Sequence, residues 1–219
     1  MITTQENKLI YTFNQETVLI EPWGKNAIRV RAIKQAAFPE ENWALTQPCG
    51  HTAAITQTER YAQMENGNLT ARITSGGKLT VYNSRGEKLL EEYARNRRDV
   101  LDPKCSAIEV EAREFRPIPG GDYHLTARFE SLDPNEKIFG MGQYQQPHLN
   151  LKGTDLELAH RNSQASVPFL LSSLGYGLLW NNPAIGRAVF GKNLTSFEAY
   201  STNVLDYWVI AGNTPKEIL

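Results

Sequence analysis

Residues 69–83 are Leu69-Thr70-Ala71-Arg72-Ile73-Thr74-Ser75-Gly76-Gly77-Lys78-Leu79-Thr80-Val81-Tyr82-Asn83, and this stretch decides the fold class. Apolar residues alternate with polar ones on both sides of Gly76-Gly77, which is the period of a strand with one buried face. Two adjacent glycines tolerate the positive φ angles that tight hairpin turns require. The stretch therefore predicts a β-hairpin whose two strands face one core.

The same alternation recurs on either side of this hairpin. It predicts further strands at residues 27–33, 108–113 and 123–129. Turn-forming residues separate the strands at Asn66-Gly67, Ser84-Arg85-Gly86 and Pro119-Gly120-Gly121, and residues 116–121 are predicted to form a loop. Because almost no 3.6-residue periodicity is present, the pattern predicts an all-β, antiparallel sandwich that forms a single domain.

Longer apolar runs appear after residue 166. Val167-Pro168-Phe169-Leu170-Leu171-Ser172-Ser173 and Leu178-Leu179-Trp180 are almost continuously apolar, which is typical of strands covered on both faces. Leu174-Gly175-Tyr176-Gly177 lies between them and supplies a hairpin turn. Trp180 and Trp208 fall within strong strand patterns and are expected in the core, whereas Trp43 is expected in a loop.

The last six residues predict the start of a helix. Thr214 can act as the N-cap, Pro215 suits the first turn, and Glu217 stands where a capping box needs an acidic residue. A helix of so few residues cannot sustain itself, because nucleation is costly. We therefore expect a β-sandwich domain over residues 1–213, followed at 214–219 by a helix that leads into a further domain.

The charge balance argues against polyanionic partners. The 219 residues contain 23 Lys and Arg against 24 Asp and Glu, a formal net charge of −1. A basic surface for nucleic acid or an anionic membrane is not expected from this balance. The densest basic cluster, Arg95, Arg97 and Arg98, has Glu91, Glu92 and Asp99 as neighbours, and is predicted to form a solvated face.

Neither a targeting segment nor a metal motif stands out. The N-terminus lacks the basic and apolar regions of a signal peptide, and no apolar run approaches the roughly 20 residues of a membrane span, so a cytoplasmic protein is expected. Cys49 and Cys105 do not make a disulfide scaffold, although their pairing stays open. Cys49-Gly50-His51 offers only half of a metal site, so neither metal nor cofactor is expected.

Three further stretches occur in a characteristic order. The first is Lys137-Ile138-Phe139-Gly140-Met141-Gly142-Gln143, and the second runs from Val167-Pro168-Phe169 through Gly175-Tyr176-Gly177 to Asn181-Asn182-Pro183. The third is Leu205-Asp206-Tyr207-Trp208-Val209-Ile210-Ala211-Gly212-Asn213-Thr214-Pro215-Lys216-Glu217-Ile218-Leu219. Together they resemble glycoside hydrolase family 31, the retaining α-glucosidases and α-xylosidases.

This resemblance implies a galactose-mutarotase-like β-supersandwich that packs against a C-terminal (β/α)8 barrel. The barrel would carry the two catalytic Asp residues, because retaining hydrolysis needs two carboxyl groups roughly 5 Å apart. Neither family motif for them occurs in these residues, and nothing pairs the isolated acids Asp155, Glu157 and Asp206. The 219-residue chain is therefore expected to be inactive alone, with its own barrel and an α-linked oligosaccharide as partners.

The resemblance also selects a substrate-contacting segment, residues 143–153 continuing to 158–164. Its candidate substrate-binding residues are Gln143, Tyr144, Gln145, Arg161 and Asn162. Many family members carry Arg-Asp where this chain has Arg161-Asn162, so a different specificity is implied. The competing interpretation gives Arg161 a structural salt bridge and makes Asn162 a turn residue. Residues 143–146, together with Asn150 and Lys152, resemble the α-xylosidase side of the family.

Two other functions stay open at this point. An independent carbohydrate-binding module would use Trp43 or the loop around Tyr144. An aldose epimerase would need a histidine acid and a glutamate base on one sheet face. The four histidines, His51, His124, His148 and His160, show no such pairing by spacing. Gly140-x-Gly142 and Gly175-x-Gly177 lack the context of a dinucleotide fingerprint and are predicted to be turns.

Overall fold

The computed structural model describes residues 1–39, 51–97, 100 and 102–219. Trp43, Cys49, Gly50, Arg98 and Asp99 lie outside these described residues. The first nine strands are β1 Ile2–Gln5, β2 Lys8–Phe13, β3 Glu16–Trp23, β4 Ala27–Lys34, β5 Ala54–Gln57, β6 Tyr61–Asn66, β7 Leu69–Thr74, β8 Leu79–Asn83 and β9 Lys88–Glu91. The next nine are β10 Arg113–Pro117, β11 Tyr123–Glu130, β12 Ile138–Gln143, β13 Asp155–Leu158, β14 Ala165–Ser172, β15 Tyr176–Trp180, β16 Gly186–Phe190, β17 Leu194–Thr202 and β18 Val204–Ala211, and a short helix α1 spans Pro215–Ile218.

These strands form three antiparallel sheets. The large sheet has eight strands in the order β1-β2-β3-β4-β18-β15-β14-β12. The crossover sheet has five strands in the order β10-β11-β17-β16-β13, and the meander sheet has five in sequence order, β5 to β9. Pairing of β4 with β18 joins the two ends of the chain within the large sheet. The all-β antiparallel prediction is thus confirmed.

The hairpin that opened the sequence analysis is present as β7 and β8. Its register pairs Leu69 with Asn83 and Ile73 with Leu79, and Gly77 has φ of +87°. An added Cβ at Gly77 would lie 2.5 Å from Cζ of Tyr11 in β2. Glycine is therefore required twice here, for the turn and for the contact between the meander and large sheets.

Aromatic pairs join the large sheet to the crossover sheet. Trp180 of β15 stacks on Phe197 of β17 with ring centroids 5.3 Å apart, and Phe129 of β11 meets Tyr207 of β18 edge-on at 5.6 Å. All four side chains are buried, and they belong to one core that includes residues from all three sheets. Each such pair contributes about 0.5–1.5 kcal/mol beyond the area it buries.

A buried arginine connects all three sheets. Nε of Arg113, in the crossover sheet, donates to Glu16 of the large sheet at 2.8 Å. Its Nη1 donates to Glu92, which directly follows the meander sheet, and its Nη2 donates to the carbonyl oxygen of Gly77 at 3.0 Å. Glu92 in turn accepts the backbone N–H of Leu79 at 2.9 Å. One guanidinium therefore links strands that are far apart in sequence.

The charges of this cluster favour one specific arrangement of the sheets more than they add to the free energy of unfolding. Burial works against the charge on Arg113, but Glu16 and Glu92 hold its pKa well above the usual value, so it remains a cation. Burial raises the pKa of Glu92 even though Arg113 opposes the shift. The attraction within buried ion pairs often does little more than offset the free-energy cost of removing the charges from water. Removal of one partner, however, leaves a buried charge without a counter-charge.

The prediction of a solvated face around Arg95 is wrong. Glu91 and Glu92 are each only 2% exposed. Arg95 lies over the ring of Tyr93 at 3.8 Å and donates to Glu130 at 2.6 Å. Of the cluster members that the structure describes, Arg97 alone fits the prediction, with a side chain that is largely exposed. The acids here face inward because the end of the meander sheet turns against the crossover sheet, where Glu92 pairs with Phe129.

The strand predicted at 108–113 is also wrong. Regular pairing begins only at Arg113, opposite Ala127, and extends through Pro117, which had been assigned to a loop. Val110 forms an isolated bridge to Arg95, and Ile108 is 76% exposed. The alternating pattern was real, but the chain at 108–112 crosses between sheets and does not run along one.

The apolar runs after residue 166 form β14 and β15 as predicted, with Gly175 at φ of +89° in the turn between them. Coverage of both faces holds for most of β15. It fails at the start of β14, where Val167 is 54% exposed. This strand lies next to the edge of the large sheet, and its outward side is only partly covered.

Helix α1 begins as the sequence predicts, but its cap differs. Thr214 is extended and its side chain makes no capping bond, whereas Glu217 accepts the backbone N–H of Asn213 at 2.9 Å. Ile218 is buried against Gly177 and Gly212 of the large sheet. No helix among the described residues is long and apolar enough to span a membrane. The boundary between residues 213 and 214 stays a prediction.

We predict that Arg113→Met lowers the free energy of unfolding by about 3–5 kcal/mol, because Glu16 and Glu92 lose their shared cation inside the core. Urea denaturation followed by circular dichroism measures this change. The control is Arg85→Met, which removes a pair to Glu87 with both side chains more than half exposed and should leave the midpoint almost unchanged. Equal shifts for the two variants would contradict the role assigned to Arg113.

Candidate functional site

The end of β12 contains an unusual run of backbone conformations. Gly140, Met141 and Gly142 all have positive φ, at 98°, 67° and 98°, and the register with β14 shifts between the two glycines. Such a shift is a β-bulge, which redirects a strand without ending its pairing. Met141 is fully buried, so core packing holds this non-glycine residue in its strained conformation.

The two glycines of the bulge are required by close backbone contacts. An added Cβ at Gly140 would lie 2.4 Å from the carbonyl oxygen of Phe169, and one at Gly142 would lie 2.1 Å from that of Ala165. Beyond the bulge, Gln143 resumes pairing with Ala165. The family-like motif at residues 137–143 thus forms a β-bulge that places Gln143 and the residues after it at the edge of the large sheet.

Tyr144 connects this edge to the crossover sheet. Its hydroxyl lies 2.9 Å from Oγ of Ser166 in β14 and 3.2 Å from the carbonyl oxygen of Glu157 in β13. A phenol can donate its proton to the carbonyl and accept from the serine hydroxyl, so both contacts are compatible. Because β13 is the outer strand of the crossover sheet, Tyr144 joins the margins of two sheets.

Arg161 and Asn162 lie in a tight hairpin after β13. The backbone N–H of Arg161 donates to the carbonyl oxygen of Gln164 at 3.1 Å, which places Asn162 in the turn between them. Nε of Arg161 donates to Glu157 at 2.8 Å, and both of these side chains are substantially exposed. The salt bridge and the turn position that formed the competing interpretation are both present, and they leave Asn162 exposed.

These contacts bring the five predicted substrate-binding residues to one margin of the molecule. We call them the edge site: Gln143, Tyr144, Gln145, Arg161 and Asn162. Tyr144 is half-buried and the other four are exposed. Their amide, phenol and guanidinium groups can donate and accept hydrogen bonds, which is the chemistry that sugar hydroxyls require. Sequence spacing did not identify Ser166 or Glu157 as the groups that hold this margin together.

The second half of the predicted loop is structural. Oδ1 of Asn150 accepts the backbone N–H of Ile138 at 3.0 Å, and Leu151 is buried. Nζ of Lys152 donates to Glu136 at 2.9 Å and to Oγ of Ser131 at 2.8 Å, in a pair whose side chains are 5% and 4% exposed. Asn150 and Lys152 therefore fix the loop to the core and do not point to a substrate.

Each isolated acid that the sequence offered is held by an arginine. Asp206 receives Nε and Nη2 of Arg29 at 2.9 and 2.7 Å, and it also accepts from Asn181. Glu157 is bound by Arg161. The third acid, Asp155, pairs with Arg187 across β13 and β16, and that hydrogen bond holds the pKa of Asp155 below its ordinary value.

The structure contains a histidine–glutamate pair that sequence spacing did not show. Nε2 of His124 lies 3.1 Å from Oε2 of Glu198, on neighbouring strands of the crossover sheet. The residues are 74 positions apart in sequence, and only the pairing of β11 with β17 brings them together. An epimerase needs its acid and base on different oxygens of the sugar, whereas these two groups bond directly to each other.

Fold and site together define a class of protein. Three antiparallel sheets around one core, with a bulged strand that presents a polar loop, make a galactose-mutarotase-like supersandwich. The family model described as "Glycosyl hydrolase 31 N-terminal galactose mutarotase-like domain" matches residues 17–187. The chain belongs to this family, as the resemblance implied.

Relatives of known sequence and structure agree with this assignment. An uncharacterized family 31 glucosidase, ORF2, from Pseudescherichia vulneris is 48% identical over 97% of this chain, and alpha-xylosidase A from Aspergillus niger is 31% identical over 90%. The crystal structure of a GH31 alpha-xylosidase from a soil metagenome, complexed with xylose, superposes over the whole chain with a TM-score of 0.94 and 46% identity. The chain spans only 41%, 28% and 33% of the lengths of these three relatives.

We predict that Gly142→Ala destabilises the protein more than Gly86→Ala does. Both glycines have positive φ, so each substitution carries a backbone cost of about 1–2 kcal/mol. Gly86 has open space where a Cβ would stand, whereas the alanine at 142 would collide with Ala165. Thermal unfolding of the two variants measures the difference. Similar melting temperatures would show that the bulge tolerates a side chain.

Proposed function

We propose that this chain is the non-catalytic N-terminal domain of a retaining α-glycosidase, with α-xylosides as the favoured substrate class. It would brace a C-terminal catalytic barrel and lend the edge site to the substrate cleft. The likeness to longer family 31 proteins over nearly all of this chain supports the domain assignment, and two α-xylosidases are among them. The observation that carries the cleft proposal is the Tyr144 hydroxyl, which holds an exposed polar loop across two sheet margins.

The placement of the acids supports a non-catalytic role. Retaining glycosidases need two carboxyl groups about 5–5.5 Å apart, one free to attack and one free to carry a proton. Asp155, Glu157 and Asp206 are each paired with an arginine and not with one another, so these three acids do not form the two-carboxyl arrangement. In this proposal the catalytic pair belongs to the barrel.

An apolar surface beside the edge site supports docking of another domain there. Val167 of β14 is 54% exposed, and Leu149 in the loop after Tyr144 is 81% exposed. Alternation along β14 puts Phe169 and Leu171 on the same outward side as Val167. Apolar residues next to polar, solvent-facing ones are the usual composition of an interface between domains.

The proposed specificity rests on Asn162. Many family members carry Asp at the corresponding place, and its charge there would favour strong hydrogen bonding to a sugar hydroxyl. Asn162 is uncharged but can donate as well as accept. The exposed position of Asn162, in a turn fixed by Arg161 and Gln164, suits contact with the part of the substrate beyond the cleaved bond.

The first test compares the 219-residue chain with a protein in which it is continued by a family 31 barrel. Hydrolysis of p-nitrophenyl α-xyloside and α-glucoside is followed by absorbance. We expect no turnover from the 219-residue chain and α-xylosidase activity from the longer protein. Turnover by the short chain would refute the non-catalytic assignment, and a longer protein with no α-glycosidase activity would refute the family function.

The second test removes the charge of the edge site in the longer protein. Arg161→Ala should reduce kcat/KM roughly tenfold, since hydrogen bonds from a charged group contribute about 1.5–3 kcal/mol. The matched control is Arg187→Ala, which breaks a similarly exposed arginine–carboxylate pair outside the edge site and should leave kcat/KM unchanged. Equal effects of the two variants would remove the edge site from the cleft.

A further inference from the structure

A second polar site lies on the outer face of the meander sheet. Along β6 and β7 the inward positions are apolar except for Asn66 at the end of β6, whereas Tyr61 and Arg72 point outward, and Tyr82 joins them from β8. Here an open groove of about 310 Å³ crosses the sheet. We call it the Arg72 groove, and its charged and aromatic lining consists of Arg60, Tyr61, Arg72, Lys78, Tyr82, Lys88, Glu91 and Asp102.

Arg72 is held rigidly in the middle of this groove. Its guanidinium carbon lies 4.4 Å from the ring centroid of Tyr61 and 5.2 Å from that of Tyr82. Nε and Nη2 both donate to the side-chain oxygen of Gln63, at 3.2 and 2.9 Å. Nη1 has no acceptor among the described residues, so a pre-oriented pair of N–H groups remains available.

Other donors around Arg72 are also unused. Within the part of the chain that the structure describes, the phenol hydroxyls of Tyr61 and Tyr82 and the guanidinium of Arg60 have no hydrogen-bond partner. The two carboxylates of the groove are already engaged. Glu91 contacts three lysines, Lys78, Lys88 and Lys104, and Asp102 contacts Lys78 and the backbone N–H of residue 104.

The groove therefore has excess positive charge and excess donors. Four cationic side chains and two carboxylates line it, so two positive charges are uncompensated. Burial alone would raise the pKa of Glu91, but the hydrogen bonds from Lys88 and Lys78 bring it down to about 2. The lysines are thus committed to a carboxylate that stays ionised, and the free positive charge resides on Arg60 and Arg72.

We propose that the Arg72 groove binds a small anionic saccharide, a sugar ring that carries a carboxylate or phosphate group. The oxyanion would accept hydrogen bonds from Nη1 of Arg72 and from Arg60, because planar guanidinium groups match the geometry of oxyanions. The phenol hydroxyls of Tyr61 and Tyr82 would bond the ring hydroxyls. A neutral sugar fits less well, since its hydroxyl protons need acceptors and the carboxylates here are occupied.

This groove is distinct from the edge site. It lies on the meander sheet, whereas the edge site joins margins of the large and crossover sheets. Its ligand is recognised through an oxyanion, and the proposed glycosidase activity plays no part in that recognition. Binding of an anionic saccharide in this groove is therefore independent of the proposed function.

The test is isothermal titration calorimetry of the 219-residue chain with D-glucuronate, D-glucose, glucose 6-phosphate and inorganic phosphate. D-Glucuronate and D-glucose share one ring and differ only in the carboxylate. We expect glucuronate or glucose 6-phosphate to bind at least about tenfold more tightly than D-glucose, with affinity that falls as salt is added. D-Glucose binding as tightly as both acids, or inorganic phosphate matching both, would overturn the proposal.

Variants locate the binding in the groove. Arg72→Gln should weaken binding of the anionic sugar by about tenfold or more, because a charged donor is lost. Arg116→Gln is the control: its side chain is 68% exposed on the crossover sheet, and affinity should be unchanged. A Tyr61→Phe/Tyr82→Phe variant keeps both rings beside Arg72 and should lose affinity several-fold. Wild-type affinity in this variant or in Arg72→Gln would place the ligand elsewhere.

Discussion

The relative arrangement of the three sheets depends on the buried guanidinium of Arg113. Hairpins build the meander sheet locally, and the other two sheets also pair strands that are distant in sequence. None of these strand pairings dictates how the three sheets face one another. Arg113 contacts Glu16 in the large sheet, Glu92 at the end of the meander sheet and the carbonyl of Gly77 in its hairpin turn. Only a side chain with several donors in a fixed plane can satisfy three such partners at once. Loss of any one partner would leave a buried charge unpaired, so these contacts favour a single arrangement of the sheets.

The crossover sheet connects the Arg113 cluster to the edge site. Arg113 lies in β10 at one margin of that sheet, and β13 lies at the opposite margin, where the carbonyl of Glu157 meets the Tyr144 hydroxyl. Both margins of the crossover sheet are therefore fixed to neighbouring sheets by polar contacts, while aromatic pairs such as Trp180 with Phe197 hold its middle. A rigid sheet between two fixed margins is a suitable support for an exposed loop, since loop residues gain precision only from what anchors them.

The sequence predicted whatever was local and failed where distant residues meet. The hairpin at residues 69–83 was predictable because alternation and two glycines determine it without reference to the rest of the chain. The strand at 108–113 failed because the alternating residues 108–112 cross between two sheets, and regular pairing begins only at Arg113. The edge-site residues were predicted from the family resemblance. Their positions could not be predicted, because they depend on the bulge at Gly140 and Gly142. Similarly, no spacing rule connects His124 to Glu198, or Lys152 to the buried Glu136.

Polar groups inside this domain and polar groups on its surface have separate tasks. Glu16, Glu92 and Arg113 satisfy one another in the core, so each of these charges is committed to a structural contact. The surface arginines differ in whether their charge is already paired with a carboxylate. Arg161 is bonded to Glu157 but remains exposed at the edge site, whereas Arg72 bonds a neutral amide and has no carboxylate partner within the described ranges. The rings of Tyr61 and Tyr82 stabilise the Arg72 cation and fix its orientation without neutralising it, so its charge remains available to an anion.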